Sequence, residues 1–325
     1  MTMSKIINVL ALSGGGYRGL FTAQVLDQLE QSTGRKITDQ FDLIAGTSIG
    51  GIIALGLADG RRPSEIVEIF RKNGGVIFNS PDNKFMYYLR SMFKASFSTL
   101  YKNDGLTVVL KELFGEKQLK DLKHAFAIIP AARASTGKPK FFKTPHNDDF
   151  YTDLNIPVVD VGLATSAAPV YFPMHYVEAD NTRYLDGGLV GNAPGLFGYI
   201  EAITRLNAEP ENVRVLSIGT LSGKPCVSEK TTPSPRLNYW LNPLNPRLLD
   251  LVFSIQEHQT HNMLKILLQE RYAQIDTTVS LEASKDIGLD KKDKAAQTAL
   301  LSRANEEAAN FVNTKFYKKY LMNNE

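Results

Sequence analysis

Short apolar runs separated by amphipathic stretches make up the first 75 residues of the chain. The runs at residues 6–12 and 41–45 have the length and apolar content of buried β-strands. Between them, residues 20–31 carry leucine or alanine at intervals of three, which predicts one buried helix face. Further helices are predicted over residues 51–58 and from Pro63 onward. The resulting order β-α-β-α-α indicates an α/β sheet.

The rest of the chain continues this alternation. Strands are predicted at residues 124–132, 140–144 and 213–219, and helices at residues 107–114, 157–168, 248–269 and 295–311. Residues 222–247 carry several prolines and are predicted to form a loop. Nothing in the pattern repeats at a fixed period, so a repeat architecture is not expected.

Composition removes several classes of protein from consideration. The 325 residues are 43% hydrophobic and carry a formal net charge of +3, which does not favour binding of a nucleic-acid polymer. Cys226 is the one cysteine, so neither an intramolecular disulfide nor a cysteine metal cluster is expected. We expect no signal peptide and no membrane-spanning segment, because no apolar run approaches 18 residues. The cytoplasm is therefore the expected compartment.

The first candidate for chemistry is Ser48, in the segment Gly46-Thr47-Ser48-Ile49-Gly50 between the second predicted strand and the following helix. A strand, a Gly-x-Ser-x-Gly turn and a helix form the setting of a nucleophile elbow. The glycines allow a sharp turn that exposes the serine hydroxyl. The helix N-terminus favours negative charge developing beside it. This pattern predicts a serine hydrolase.

A serine hydroxyl needs a base to become a good nucleophile, and histidine is the first possibility. His258 and His261 follow Asp186 in the chain, so the order Ser48, Asp186, His258 matches that of α/β-hydrolase triads. Both histidines, however, fall within the predicted helix at 248–269 among polar neighbours. We interpret them as part of a polar helix face.

Asp186 is the stronger candidate for the base. It lies in Tyr184-Leu185-Asp186-Gly187-Gly188, after a short apolar segment, where it can accept the serine proton directly in a two-residue dyad. An ordinary aspartate has a pKa of about 3.9, so burial would have to raise it. Asp-Gly is also a common turn dipeptide, which leaves a purely structural turn as the competing interpretation.

A glycine-rich loop follows the first predicted strand. The backbone N–H groups of Gly14, Gly15 and Gly16 can bind the oxyanion of a tetrahedral intermediate, worth about 3–4 kcal/mol per donor in known enzymes. Arg18 can pin this loop or add positive potential. The spacing Gly-x-Gly-x-x-Gly, completed by Gly19, also fits a Rossmann-type nucleotide-binding fingerprint. A Rossmann-type site requires an acidic residue at the end of the second strand, where none is present.

Taken together and in order, these motifs resemble the patatin-like phospholipase family. Its signature joins Gly-Gly-Gly-x-Arg/Lys-Gly, Gly-x-Ser-x-Gly and a distant Asp-Gly-Gly/Ala, matched here by residues 14–19, 46–50 and 186–188. Residues 164–173, Ala-Thr-Ser-Ala-Ala-Pro-Val-Tyr-Phe-Pro, are similar to the family's Ser-Ala-Ala-Pro-x-Tyr-Phe block. The matches cover residues 6–220, and the chain beyond them carries no motif that we can assign.

The resemblance implies a three-layer α/β/α sandwich with a mixed central sheet. It implies one domain over residues 1–325, whose C-terminal part, from about residue 221, is helical. Ser48 would be the nucleophile, Asp186 its base and the N–H groups of Gly14, Gly15 and Gly16 the oxyanion hole. The supporting residues would be Arg18, Gly19, Gly46, Gly50, Gly187 and Gly188. The implied activity is hydrolysis of fatty-acyl esters of membrane glycerophospholipids through an acyl-enzyme, with no metal and no cofactor.

The chain is also similar in length and layout to a bacterial subgroup of this family, the effectors of cyclic-oligonucleotide-triggered antiphage defence. That similarity implies a cyclic dinucleotide as activator, although no residue marks a nucleotide site. The membrane phospholipid substrate implies peripheral contact with the inner face of the membrane. The oligomeric state is not indicated by the sequence. The competing functional hypothesis is a non-catalytic or Rossmann-type nucleotide-binding protein.

Two segments are candidates for the contact with lipid. Residues 84–102 interleave bulky apolar groups with lysine and arginine, which fits an interfacial helix, a lid over the serine or an ordinary packed helix equally well. Trp240 lies in the predicted proline-rich loop, and tryptophan favours the membrane–water interface.

Overall fold

A computed structural model describes residues 5–78, 99–221, 237–240, 247–277 and 287–322. Within these ranges the strands are β1 Ile7–Leu12, β2 Leu43–Gly46, β3 Phe126–Arg133, β4 Pro139–Lys143, β5 His175–Val177, β6 Thr182–Leu185, β7 Val213–Ile218 and β8 Tyr272–Ile275. The helices are α1 Gly19–Thr33, α2 Ile37–Gln40, α3 Ile49–Ala58, α4 Pro63–Ile77, α5 Asp104–Phe114, α6 Val158–Thr165, α7 Gly188–Gly191, α8 Gly195–Thr204, α9 Leu237–Trp240, α10 Arg247–Leu268 and α11 Lys294–Phe311.

The strands form one mixed sheet in the order β5-β6-β3-β2-β1-β7-β8, with β4 paired to β3 beside this path. The centre is parallel: β1 pairs with β2 and β7, β2 with β3, and β7 with β8. Antiparallel pairs occur at the other end, where β4 and β6 pair with β3 and β5 pairs with β6. Because β1 and β2 are central and parallel, the loops after them emerge at the same edge of the sheet.

Helices cover both faces of this sheet, as the alternation of side chains along β1 shows. Leu10 and Leu12 belong to a core shared with helices α1, α3, α4, α5, α6 and α11. Val9 and Ala11 point to the opposite face and pack in a second core with α8 and α10. Successive strand residues point to opposite faces, so each core receives every second side chain. The predicted α/β/α sandwich with a mixed sheet is confirmed.

Several elements differ from the sequence-based prediction. Strands β5, β6 and β8 were not predicted, because three or four residues are too few to show an alternation. The helix predicted over 157–168 ends at Thr165, before the turn that contains Pro169. Trp240 ends the short helix α9, so the prediction that it lies in a loop is wrong.

The proposed lipid-contact segment at 84–102 lies largely outside the described residues. Its last part is described from Thr99 onward, and there Tyr101 is buried and donates a 2.6 Å hydrogen bond to Asp290. This tyrosine therefore packs in the protein interior and is not available to lipid. No helix in the described ranges has the length and apolar content that crossing a bilayer requires.

Candidate active site

Ser48 lies at a sharp turn between β2 and α3, with a backbone conformation of φ 54° and ψ −122°. This region is unfavourable for a residue with a side chain, at a cost of about 1–3 kcal/mol. Only glycine fits on either side of Ser48, because backbone carbonyl oxygens approach both positions closely. A β-carbon at Gly46 would lie 2.3 Å from the carbonyl oxygen of Gly50, and one at Gly50 would lie 2.2 Å from that of Leu12. The turn presents the hydroxyl of Ser48 beside the N-terminus of α3.

The hydroxyl of Ser48 donates a hydrogen bond of 2.8 Å to Oδ2 of Asp186. The other carboxylate oxygen, Oδ1, accepts a 2.7 Å bond from the N–H of Gly188 at the start of α7. Asp186 follows β6, so a strand end and a helix start together fix its orientation. The two predicted partners, distant in sequence, are in direct contact.

Burial changes the chemistry of Asp186. The residue is only 3% exposed, and this burial raises the pKa of the carboxyl to about 6, against the opposing effect of the bonds from Gly188 and Ser48. A general base works best when its pKa lies near the operating pH. Asp186 is therefore mostly ionised at neutral pH, yet far more basic than an ordinary aspartate.

The block at 164–173 lies between these two residues and holds both of them. The hydroxyl of Thr165 accepts a 3.0 Å bond from the N–H of Ser48 and donates one of 2.7 Å to the carbonyl of Pro130. The carbonyl of Ala167 accepts a 3.0 Å bond from the N–H of Asp186. Similarity to the family identified this block in the sequence, but only the fold assigns it this positioning role.

The glycine-rich loop is adjacent to Ser48. A β-carbon at Gly14 would lie 3.1 Å from that of Ser48. The N–H of Gly14 donates to the carbonyl of Asn192 at 3.1 Å, so this amide is engaged in the structure. Among the described residues, no acceptor is assigned to the N–H groups of Gly15 and Gly16, which begin a helical turn. Within the described contacts, the amides of Gly15 and Gly16 therefore remain available to an oxyanion, whereas that of Gly14 is engaged.

Thr220 and Asn192, which the sequence analysis did not single out, both donate hydrogen bonds to Gly14. Its carbonyl accepts a 2.9 Å bond from Thr220 and a weaker one of 3.4 Å from the amide nitrogen of Asn192. The same nitrogen donates to the buried carboxylate of Glu257 at 2.6 Å. Glu257 is on α10, in the part of the chain without a motif. A signal in the sequence would have been hard to find, since a lone glutamate in a polar helix is usually solvated.

Arg18 supports the same loop from within, as the sequence suggested. Its Nε donates to the carbonyl of Gly15 at 3.3 Å, and one terminal nitrogen donates to the carbonyl of Leu221 at 3.4 Å. Burial lowers the pKa of the guanidinium, and the negative charges of Glu257, Asp276 and Asp250 oppose that shift. Arg18 therefore links the loop to the acidic side chains of the C-terminal third.

Neither histidine of α10 is placed as a catalytic base. His258 is exposed and its Nδ1 bonds to the carbonyl of Ser254, one turn earlier in the helix. His261 is buried against the hydroxyl of Tyr272, and burial lowers its pKa to about 4. A catalytic triad has no support in these contacts, and the carboxylate of Asp186 already touches Ser48 without an intermediary.

The described residues were also compared with the requirements of a dinucleotide site and of a metal centre. Strand β2 holds Leu43, Ile44, Ala45 and Gly46, so it offers no carboxylate to a ribose, and the Rossmann-type interpretation fails at that position. In the described part of the chain, no cluster of three or more histidine, cysteine, aspartate or glutamate side chains is arranged to hold a metal ion.

Comparisons with a family model and with individual proteins both identify phospholipases. The family described as patatin-like phospholipase matches residues 10–195. A "cGAMP-activated phospholipase" of Pseudomonas aeruginosa is 42% identical over 313 residues, covering 95% of this chain and 90% of that protein. A protein of the same name from Vibrio cholerae is 34% identical, covering 93% of this chain and 90% of its own length.

Among solved structures, human GIVD cytosolic phospholipase A2 aligns with a TM-score of 0.45 and 12% sequence identity. The alignment covers 94% of this chain and 59% of the human one. Similarity at this level is too low to bear on function.

Proposed function

The chain belongs to the patatin-like phospholipase family, and from this premise we propose that it is a phospholipase of A type that cleaves fatty-acyl esters of membrane glycerophospholipids. The observation that carries the proposal is the 2.8 Å hydrogen bond from Ser48 Oγ to Asp186 Oδ2. It joins a nucleophile on a strained turn to a base whose pKa is tuned by burial. A non-catalytic relative of the family would not need this contact.

In the first half-reaction Ser48 Oγ attacks the ester carbonyl while its proton passes to Asp186 Oδ2. The N–H groups of Gly15 and Gly16 stabilise the oxyanion. When the tetrahedral intermediate collapses, the ester C–O bond breaks and Asp186 returns the proton to the departing lysophospholipid alcohol. The acyl group remains on Ser48. In the second half-reaction Asp186 deprotonates a water that attacks the carbonyl of the acyl-enzyme. The bond between the acyl carbon and Ser48 Oγ then breaks, Asp186 returns the proton to Ser48 Oγ, and the fatty acid leaves.

The pH dependence tests which group is the base. As the pH falls through about 6, Asp186 is protonated and can no longer accept the serine proton, so the rate should fall about tenfold per unit. A histidine base, with an ordinary pKa of about 6.5, would give a similar curve. The decisive measurement is therefore the profile of His258→Ala, which we expect to match that of the wild type. A lost or displaced break in that variant would favour a triad.

We further propose that a cyclic dinucleotide activates the enzyme, as part of an antiphage response. The support is that two relatives named cGAMP-activated phospholipase are 34–42% identical to this protein over nearly the whole chain. A peripheral position at the inner face of the cytoplasmic membrane follows from the phospholipid substrate.

One experiment tests both the reaction and its activation. The protein is incubated with a fluorophosphonate probe or with bacterial phospholipids, with and without cGAMP. We expect a covalent adduct on Ser48 and released fatty acid, both increased by cGAMP. Labelling and hydrolysis that neither cGAMP nor any other cyclic dinucleotide raises above the level without nucleotide would contradict the proposed activation but not the proposed hydrolase activity. An unlabelled Ser48 under every condition would contradict the hydrolase itself.

A further inference from the structure

The outward face of α10 carries an unusual concentration of exposed apolar side chains. Fourteen large hydrophobic residues of the described chain are exposed. Those on α10 have exposed fractions from 39% to 76%. Six of the fourteen lie on this one helix: Leu248, Val252, Ile255, Met263, Ile266 and Leu267. The first five of these residues follow one another at spacings of four, three, eight and three residues, which places them along one side of the helix. Leu267 follows directly after Ile266. We refer to these six residues as the outer stripe.

The outer stripe begins beside the catalytic residues. A β-carbon at Gly188, the residue whose amide bonds to Asp186, would lie 3.1 Å from the ring of Phe253 on α10. Asp250, one turn earlier, lies close enough to Arg18 of the glycine-rich loop for their charges to interact. The first two turns of α10 therefore lie beside the active site, and Leu248, Val252 and, in the third turn, Ile255 are exposed on the outer side of the helix.

The charges of α10 are divided between its two sides. Its two carboxylates are directed inward: Glu257 accepts from Asn192, and Asp250 interacts with Arg18 and Arg247. The exposed positions of this fully described helix hold no acidic residue, and they include the cation Lys265. The exposed positions of α10 thus combine apolar side chains with a cation, which is complementary to the hydrocarbon and anionic headgroups of a bacterial bilayer.

An aromatic pair lies at the entry to the helix. The guanidinium of Arg247 is 4.3 Å from the ring centroid of Tyr239, and Tyr239 packs edge-to-face against Trp240. Both aromatic side chains are partly exposed. Tyrosine and tryptophan favour the membrane–water interface, so this pair adds residues of the same preference beside the first turn of α10.

From these observations we infer that the outer stripe of α10 docks on the surface of a lipid bilayer and brings the active site to its phospholipid substrate. The inference rests on the proposed phospholipase function and adds the surface that meets the membrane. The stripe would lie in the interface with its apolar side chains at the acyl boundary, so that a lipid entering beside Phe253 reaches Ser48 with little displacement from the bilayer.

The test replaces Ile255 and Ile266 together by glutamate, and uses Val108→Glu as the matched control. Val108 is 59% exposed on α5, comparable to Ile255 at 56%, and the change adds the same kind of charge to a helix surface. Two assays are run with cGAMP present: co-sedimentation with vesicles containing phosphatidylglycerol, and hydrolysis of a short water-soluble ester. Circular dichroism and light scattering report folding and mass.

We expect Ile255→Glu/Ile266→Glu to weaken vesicle binding by about tenfold or more, since the isoleucines would bury apolar surface in the bilayer and the glutamates would not. Hydrolysis of vesicle phospholipid should fall in parallel, while turnover of the soluble ester stays within about twofold of wild type. The control should retain both. Vesicle binding equal to wild type would overturn the inference. If the substitutions instead halve the mass of the particle and leave vesicle binding unchanged, the stripe joins two copies of the chain and the inference is also overturned.

Failure of the proposed function would look different. A wild-type protein that hydrolyses neither substrate contradicts the phospholipase assignment, whereas vesicle binding is measured without turnover and still decides the role of the stripe.

Discussion

Ser48→Ala is expected to lower phospholipid hydrolysis by at least about 10⁴-fold, because no other group forms the acyl-enzyme. Asp186→Asn is expected to cost about 10²–10⁴-fold, the range for loss of a general base. The asparagine can keep the geometry, with its oxygen accepting from the Gly188 amide and its nitrogen donating to Ser48. It cannot take a proton. The measurement is initial-rate release of fatty acid from phospholipid vesicles at saturating cGAMP.

Asp160→Asn is a suitable control for the second substitution. Oδ1 of Asp160 lies 2.9 Å from Nε2 of His175, and within the described residues Asp160 makes no hydrogen bond to Ser48 or Asp186. Its variant should hydrolyse phospholipid at nearly the wild-type rate. Near-normal turnover by Asp186→Asn, in a preparation free of wild-type protein, would show that another group deprotonates Ser48 and would end the dyad proposal.

Asp186→Asn should also make the protein more stable at neutral pH. In the folded state the pKa of Asp186 is raised from 3.8 to about 6 by burial, so the native state binds the proton more tightly than the unfolded chain. Wild-type stability therefore falls as the pH rises from about 4 to about 6, and remains reduced above that range. A pKa shift of this size lowers the free energy of unfolding at neutral pH by about 3 kcal/mol. The neutral amide does not carry this cost.

Urea denaturation at pH 7.5 and at pH 4 would measure this effect. We expect the gain in unfolding free energy of Asp186→Asn to approach about 3 kcal/mol at the higher pH and to shrink strongly at the lower one. Asp153→Asn provides the contrast, because Asp153 is buried but paired with Lys140 at 2.5 Å, and its neutralisation leaves that lysine without its partner. A gain for Asp186→Asn that does not change with pH would show that burial of charge is not its source.

Under the proposed dyad, the burial of Asp186 lowers the stability of the fold and at the same time makes the carboxylate a better base. The carboxylate of Asp186 is enclosed with two hydrogen bonds, and no cation of the described chain contributes to the shift of its pKa. That arrangement is costly for folding but keeps the group basic near neutral pH. Catalytic sites commonly retain destabilising groups of this kind.

Much of the central sheet was predictable because its strands are buried and continuous in hydrophobicity. The predicted strand at 213–219 corresponds to β7, Val213–Ile218, and the predicted helix at 295–311 to α11, Lys294–Phe311. Short elements at the edge of the sheet were not predictable. β8, Tyr272–Ile275, is held by its parallel pairing with β7, a contact between segments more than 50 residues apart that leaves little local pattern.

The candidate site also contains residues that the sequence could predict and residues that it could not. Ser48, Asp186 and the glycine-rich loop could be proposed as candidates because turns and oxyanion loops restrict residue type at fixed spacings. Asn192 and Glu257 could not, because their role arises from a hydrogen-bonded chain to Gly14 that spans three separate segments. The outer stripe of α10 has helical periodicity in the sequence, yet periodicity alone cannot tell a buried face from an exposed one.

The sequence by itself therefore determined the family and the class of fold, and it provided the candidates for the reacting groups, because local backbone geometry and hydrophobic period are properties of neighbouring residues. Only the tertiary structure decided that Asp186 touches Ser48 directly, that its pKa lies near 6, and which side of α10 is left to solvent. Contact distance, burial and the resulting desolvation depend on segments that meet only after folding, and no local pattern encodes them.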